Sequence, residues 1–129
     1  MRPKDFDVVL CCNQLGDIFS DLTGVFSGSL GMLPSACLAS NPSAEPSFGI
    51  YESTSGSAPD IAGRGIANPI GTILAVGMMF EYTLKRPELN FMINSAVEKA
   101  LNDGIRTRDI GGKASSEEMT EAIEKRLTK

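Results

Sequence analysis

Only two stretches of this sequence read as β-strand while four read as helix, and that imbalance limits what the chain can fold into more than any other feature. Residues 6–12, FDVVLCC, are a short run of β-formers apolar on both faces, as a buried strand requires. Residues 48–52 are the second candidate. After Asn13 and Gly16 a helical pattern places Ile18, Phe19, Leu22, Val25 and Phe26 on one face, until GSLGMLPS at 28–35 breaks it. Asn68 and Pro69 form a strong helix start, since Asn caps well and Pro is tolerated in the first turn. The helix they open, over 69–84, is apolar nearly all round and is expected to be buried on most sides. A third, over 88–102, carries Phe91, Ile93, Val97 and Leu101 and stops at Gly104. The last begins at SSEE, where Ser115 and Glu118 fit a capping box. Strands alternating with helices indicate an α/β fold. Two strands cannot make a satisfactory sheet for four helices, so the expectation is an incomplete sheet and a chain that is part of something larger.

Between the second strand and its helix lies ESTSGSAPDIAGRGIANP, residues 52–69, which suits neither helix nor strand. Glycines at 56, 63 and 65 and two X-Pro steps push it into turns. A long loop without periodicity is usually functional or disordered. Gly56, Ser57 and Ala58 carry so little side chain that a flat or charged ligand could lie against their backbone N–H groups. Asp60 could accept from a diol such as a ribose, and Asn68 offers a donor and an acceptor to a base edge. A plain surface connector accounts for the same residues. Neither GxGxxG nor GxxxxGK[ST] occurs, so a nucleotide here would not be held in the Rossmann manner.

In NQLGDIFSDL, Asp17 and Asp21 stand four residues apart, which on a helix puts both carboxylates on one face. Such a pair is a start on a Mg²⁺ or Mn²⁺ site, or simply a complement to the helix dipole. The net charge of −4, with basic residues scattered among acidic ones, gives no stripe for nucleic acid. The odd cysteine count, Cys11, Cys12 and Cys37, argues against a disulfide framework. The longest apolar run, 70–80, is too short for the ~20 residues that span a bilayer, so no membrane is expected. No signal pattern opens the chain, and a soluble, cytoplasmic protein is the expectation, with an organelle matrix left open. With no histidine in the chain, histidine bases and histidine metal sites are excluded within it.

FDVVLCCNQLGDIFSDL, GSLGMLPSA, GIYESTSGSAPDIAGRGIANPIGTIL and DIGGKASSEEM, in that order, resemble the C-terminal part of the 3-isopropylmalate dehydrogenase family, β-decarboxylating enzymes that include isocitrate and tartrate dehydrogenases. The resemblance runs from about residue 3 to 127. It implies that Asp17 and Asp21, in the family's GDILSD motif, are two of its divalent-metal ligands, Mg²⁺ or Mn²⁺. It implies that 56–63 and 67–69, with Gly56, Ser57, Ala58, Asp60, Ile61 and Asn68, bind the adenosine half of NAD. Asp60 followed by Ile61 is similar to the NAD-dependent members, where NADP-dependent isocitrate dehydrogenases carry Lys and Tyr. Glu52 matches a glutamate near the nicotinamide end. Residues 1–30 would end a smaller, dimer-forming domain and 31–129 would return to the larger nucleotide-binding one.

Several positions depart from the family pattern. Ser55 stands for a frequent histidine, Ser53 for a proline, Leu15 for a phenylalanine and Leu22 for an acidic residue. The family's substrate arginines, its tyrosine and lysine acid and base, and its third metal aspartate have no counterpart here, so no catalytic residue is assigned in this chain. The implied activity is oxidative decarboxylation of a small 2-hydroxy acid, 3-isopropylmalate first and tartrate or isocitrate as alternatives, in a homodimer or with a complementing N-terminal portion. A non-catalytic homologue acting through protein association is the competing reading.

Overall fold

The structure is a computed structural model that describes residue 2 and residues 5–127. Helix α1, Asn13–Ser27, ends where Gly28 turns left-handed at φ 88° and returns its N–H to the Gly24 carbonyl at 2.8 Å. A 3-10 turn, Leu30–Met32, follows at once, opened by Ser29, whose hydroxyl accepts the Gly31 N–H at 3.1 Å. Two strands, β1 (Pro34–Leu38) and β2 (Gly49–Ser53), then pair antiparallel with Pro34 opposite Ser53 and Leu38 opposite Gly49. Helices α2 (Ile70–Tyr82), α3 (Pro87–Asn102) and α4 (Ser116–Leu127) complete the order. Helices beside a small two-stranded sheet make the α/β part-fold that the sequence implied.

The strands are not the expected pair. Residues 6–12 form no strand, and Val8 and Leu10 stand 87% and 97% exposed. A strand exists only by pairing, and among the described residues nothing lies alongside this segment to pair with it. The second strand forms at Gly49–Ser53, one residue on from its expected place, and its partner is PSACL, of which the first two residues close the helix-breaking stretch 28–35 and the other three carried no expectation. Gly49 permits that pairing, because a Cβ there would sit 2.8 Å from Leu38 Cδ2 and 3.0 Å from the Tyr51 ring.

The hairpin is fastened to α2 by polar contacts at its far end. Fully buried Ser47 meets the Ser40 carbonyl and N–H at 3.1 Å each, and its own N–H donates to Tyr82 O. Thr83 donates to Ser47 O at 2.6 Å and shares a hydrogen bond with the Tyr51 hydroxyl at 2.8 Å. Burial, with the charges of Glu81 and Tyr51, pushes the Tyr82 phenol above its ordinary value. At the near end Gly71 lets α2 approach the chain so closely that a Cβ there would meet the carbonyls of Gly31 and Leu33 at 2.9 Å.

The core lies on the other side of α2. Ile70, Ala96, Val97, Ala100, Met119, Ala122 and Ile123 pack together from α2, α3 and α4. The small alanines let the helices close on Ile70, Met119 and Ile123, each worth about 1.5–3 kcal/mol of buried side chain. The 88–102 pattern holds at Ile93 and Val97, but Phe91 is 76% exposed, since it stands two positions before Ile93 and a helix turns about 200° in that step. The α4 capping box forms in full: Glu118 N–H donates to Ser115 Oγ at 3.1 Å and Ser115 N–H to Glu118 Oε2 at 2.8 Å.

Burial of α2 is narrower than expected: Ile70, Gly71, Ala75 and Gly77 are buried, most other residues are half-buried, and Thr72 and Val76 are exposed. The larger uncovered apolar surface is instead on α1, where Leu15, Ile18, Phe19, Leu22, Val25 and Phe26 are all exposed. No helix among the described residues is long and apolar enough to cross a membrane.

Candidate functional site

The 54–68 loop folds back over the 29–31 turn and encloses a cleft of about 450 Å³. Gly56, Ser57, Ala58, Ile61 and Asn68, singled out from sequence, line it together. The loop holds its shape by short-range turns, Ile61 N–H to Ala58 O and Arg64 N–H to Ile61 O, both at 3.1 Å. Four residues of the loop have positive φ, the glycines at 56, 63 and 65 and Ala58 at φ 40°, which for a residue with a Cβ is a strained conformation. Among the described residues, the backbone N–H groups of Gly56, Ser57 and Ala58 donate to no protein acceptor. They are available to a ligand.

One wall is built by contacts between residues far apart in the chain. Asn68 Oδ1 accepts the Ile70 N–H at 3.0 Å and so caps α2, as the Asn-Pro sequence implied. Its Nδ2 donates to Asp109 Oδ2 at 2.9 Å. Asp109 sits in the 3-10 turn Arg108–Ile110, and the hydroxyl of fully buried Thr107 donates to its Oδ1 at 2.5 Å. Partial burial pushes the Asp109 carboxyl up, but the Ser29 and Thr107 hydroxyls and the Asn68 amide outweigh it and hold the group below the usual carboxylate range. It is a fixed negative charge at neutral pH. Ser116, at the start of α4, latches the other side, with its hydroxyl on Ala67 O at 2.5 Å and its N–H on Gly65 O at 2.9 Å.

The remaining sequence candidates lie elsewhere. Asp60 is exposed on the same loop, between two lining residues but outside the lining itself. Glu52 is exposed on β2 opposite Ser35. Asp17 and Asp21 are exposed on α1, one turn apart and away from the cleft. Neither is in the first turn of α1, which removes the helix-dipole explanation for them. No third carboxylate, cysteine or histidine joins them among the described residues. Sequence reasoning missed Ser29, Gly31, Asp109 and Ser116 as lining residues. Asp109 and Ser116 both fall in DIGGKASSEEM, which carried part of the resemblance but no assigned role.

The sequence matches the isocitrate/isopropylmalate dehydrogenase family over residues 1–123. It is 55% identical over 108 residues to the 3-isopropylmalate dehydrogenase of Geobacter metallireducens, covering 84% of this chain and 28% of that protein. The isocitrate dehydrogenase of Methylococcus capsulatus superposes with a TM-score of 0.86 at 36% identity, over 100% of this chain and 37% of that one. A β-decarboxylating dehydrogenase of Thermococcus kodakarensis in its apo form gives 0.77 at 39% identity, over 90% and 32%. The chain thus spans about a third of the length of the curated relatives it matches.

Proposed function

Because the chain belongs to the isocitrate/isopropylmalate dehydrogenase family, we propose that it is the C-terminal portion of an NAD-dependent oxidative decarboxylase and that its 54–68 cleft holds the adenosine half of the cofactor. The observation that carries this reading is the convergence of Gly56, Ser57, Ala58, Ile61 and Asn68 on one cleft, in a chain that matches the family over the same residues. NAD supplies a hydride acceptor when bound. This chain's residues bind and orient it. Small residues at 56–58 with available N–H groups admit a ligand close to the backbone, and the volume suits a nucleoside. Asp60, exposed at the cleft's edge and paired to nothing among the described residues, suits a ribose diol and opposes a 2′-phosphate. Glu52 would lie towards the nicotinamide end.

The substrate proposed is a small 2-hydroxy acid. The 55% identity to a 3-isopropylmalate dehydrogenase, against 36% to an isocitrate dehydrogenase, favours 3-isopropylmalate. Asp17 and Asp21 are proposed as part of a Mg²⁺ or Mn²⁺ site. Two exposed carboxylates do not make a closed site, so this chain fits the metal only as a contributor of ligands. No acid or base is assigned here. Tyr51 is bound to Thr83 and, like Tyr82, does not line the cleft. The chain by itself is expected to turn nothing over. Residues 1–30 are proposed to belong to a smaller domain through which the enzyme dimerises, consistent with the uncovered apolar face of α1.

An NMR titration with ADP-ribose tests the cleft. Saturable shifts are expected at the amides of 56–61 and 68. Shifts confined to other elements, or none at millimolar ligand, would remove the reading.

A further inference from the structure

Gly112 folds the loop between α3 and α4 back on itself. A Cβ there would collide with the Arg106 carbonyl; without one, the Gly112 N–H donates to Thr107 O at 2.8 Å and the Ala114 N–H to Arg106 O at 2.9 Å. These contacts accompany a parallel bridge between Thr107 and Ala114. Arg106 and Lys113, each one residue before a bridge partner, are thereby brought to the same groove, about 590 Å³ between this loop and α4. The groove shares no lining residue with the 54–68 cleft.

The other charges of this groove are already engaged. Glu118 Oε2 accepts the Ser115 N–H at 2.8 Å, and Glu121 pairs with Lys125 at 3.0 Å. Arg126 binds Asp103 and the Ala122 carbonyl. Arg106 and Lys113 are both exposed, and among the described residues neither side chain makes an ion pair. Two like charges on one groove repel, and an anion between them turns that repulsion into attraction. Arginine brings a planar fork of donors that matches two oxygens of an oxyanion, and lysine brings a point charge.

We propose that Arg106 and Lys113 form a binding site for a phosphate dianion. Its oxygens take the guanidinium fork and the ammonium together, whereas a singly charged ion balances only one of the two cations. Ile105, Ala114 and Ala122 give the rest of the lining an apolar character, which suits the carbon body of a small phosphate monoester. Free phosphate and such an ester present the same group to the two cations.

An NMR titration tests the site with inorganic phosphate, with glycerol 3-phosphate and with sodium chloride at matched ionic strength. Phosphate is expected to shift the amides of 105–107 and 112–114 saturably in the millimolar range, and chloride to give no saturable shift. Tighter binding of the ester than of the free ion makes a phosphorylated metabolite the occupant, and equal or weaker binding makes it the ion. Arg106→Gln and, separately, Lys113→Gln are each expected to weaken phosphate about tenfold. Lys125→Gln, in the same groove but already paired, should leave it within about twofold. Shifts that follow ionic strength alone, or a phosphate affinity unmoved by Arg106→Gln and Lys113→Gln, overturn the site. If one of these variants does not fold, the other decides. The outcome is independent of the cofactor reading, which ADP-ribose reports at 56–61 and 68.

Discussion

Asn68 donates its side-chain amide to Asp109 at 2.9 Å across a sequence separation of 41 residues. This contact joins the residue that caps α2 to the turn preceding α4, and it makes one wall from segments that the sequence presents as unrelated. The cleft exists because the chain returns to itself here.

Gly31 is the residue that allows the two to meet. A Gly31→Ala substitution places a methyl 2.8 Å from Asn68 Cβ, and neither the α2 cap nor the Asp109 contact can retreat without losing a hydrogen bond. Overpacking of this kind costs about 1–3 kcal/mol. Urea unfolding should show that loss in the midpoint, and ADP-ribose affinity should fall with it. An unchanged midpoint and affinity would mean that the wall is softer than the geometry implies.

Removing one half of the α4 capping box is expected to cost less. Ser115→Ala deletes the acceptor of the Glu118 N–H and leaves the first turn of α4 under-satisfied, for about 0.5–2 kcal/mol. Ser115→Asp should recover most of that. If alanine and aspartate are equally stable at this position, the cap contributes nothing measurable.

Asp109 predicts an acid limit. Its folded pKa lies below the unfolded value of about 3.9, so its contribution is present above that value and is lost as pH falls through the folded one. Stability followed by urea unfolding should be level through neutral pH and decline below about pH 4. In Asp109→Asn the decline should be shallower. A variant with the same acid slope as the unmodified chain would show that other carboxylates carry it.

The uncovered face of α1 predicts association. Six exposed apolar residues on one helix form a patch that a monomer does not keep in water without consequence. Sedimentation should find the chain self-associated or strongly dye-binding, and Val25→Glu with Phe26→Ser should reduce both. A monodisperse monomer that binds no dye would count against a covered role for this face.

Much of this was legible in local sequence. The Asn-Pro start of α2, the Ser115 and Glu118 box and the stop at Gly104 are each decided within a few residues, and each formed. Strand identity was not, because it depends on a partner. FDVVLCC has strand composition and nothing described to pair with, whereas PSACL, with little β-propensity, is a strand because β2 lies beside it. Phe91 was grouped with a face it does not share, an error of period. The small residues at 56–58 announced a cleft. Asp109 did not announce itself as part of it, since only a contact spanning the second half of the chain brings it there.

The most direct measurement is the pair of dissociation constants for NAD and NADP, by calorimetry, for the unmodified chain and Asp60→Lys. The proposal of an adenosine cleft predicts that NAD binds better than NADP, because Asp60 would then accept from the ribose diol and repel a 2′-phosphate. Asp60→Lys should weaken NAD by about 1.5–3 kcal/mol, roughly one to two powers of ten, and shift the preference towards NADP. No binding of either nucleotide to the unmodified chain, or affinities whose values and ratio do not respond to Asp60→Lys, would contradict it and leave the loop a connector.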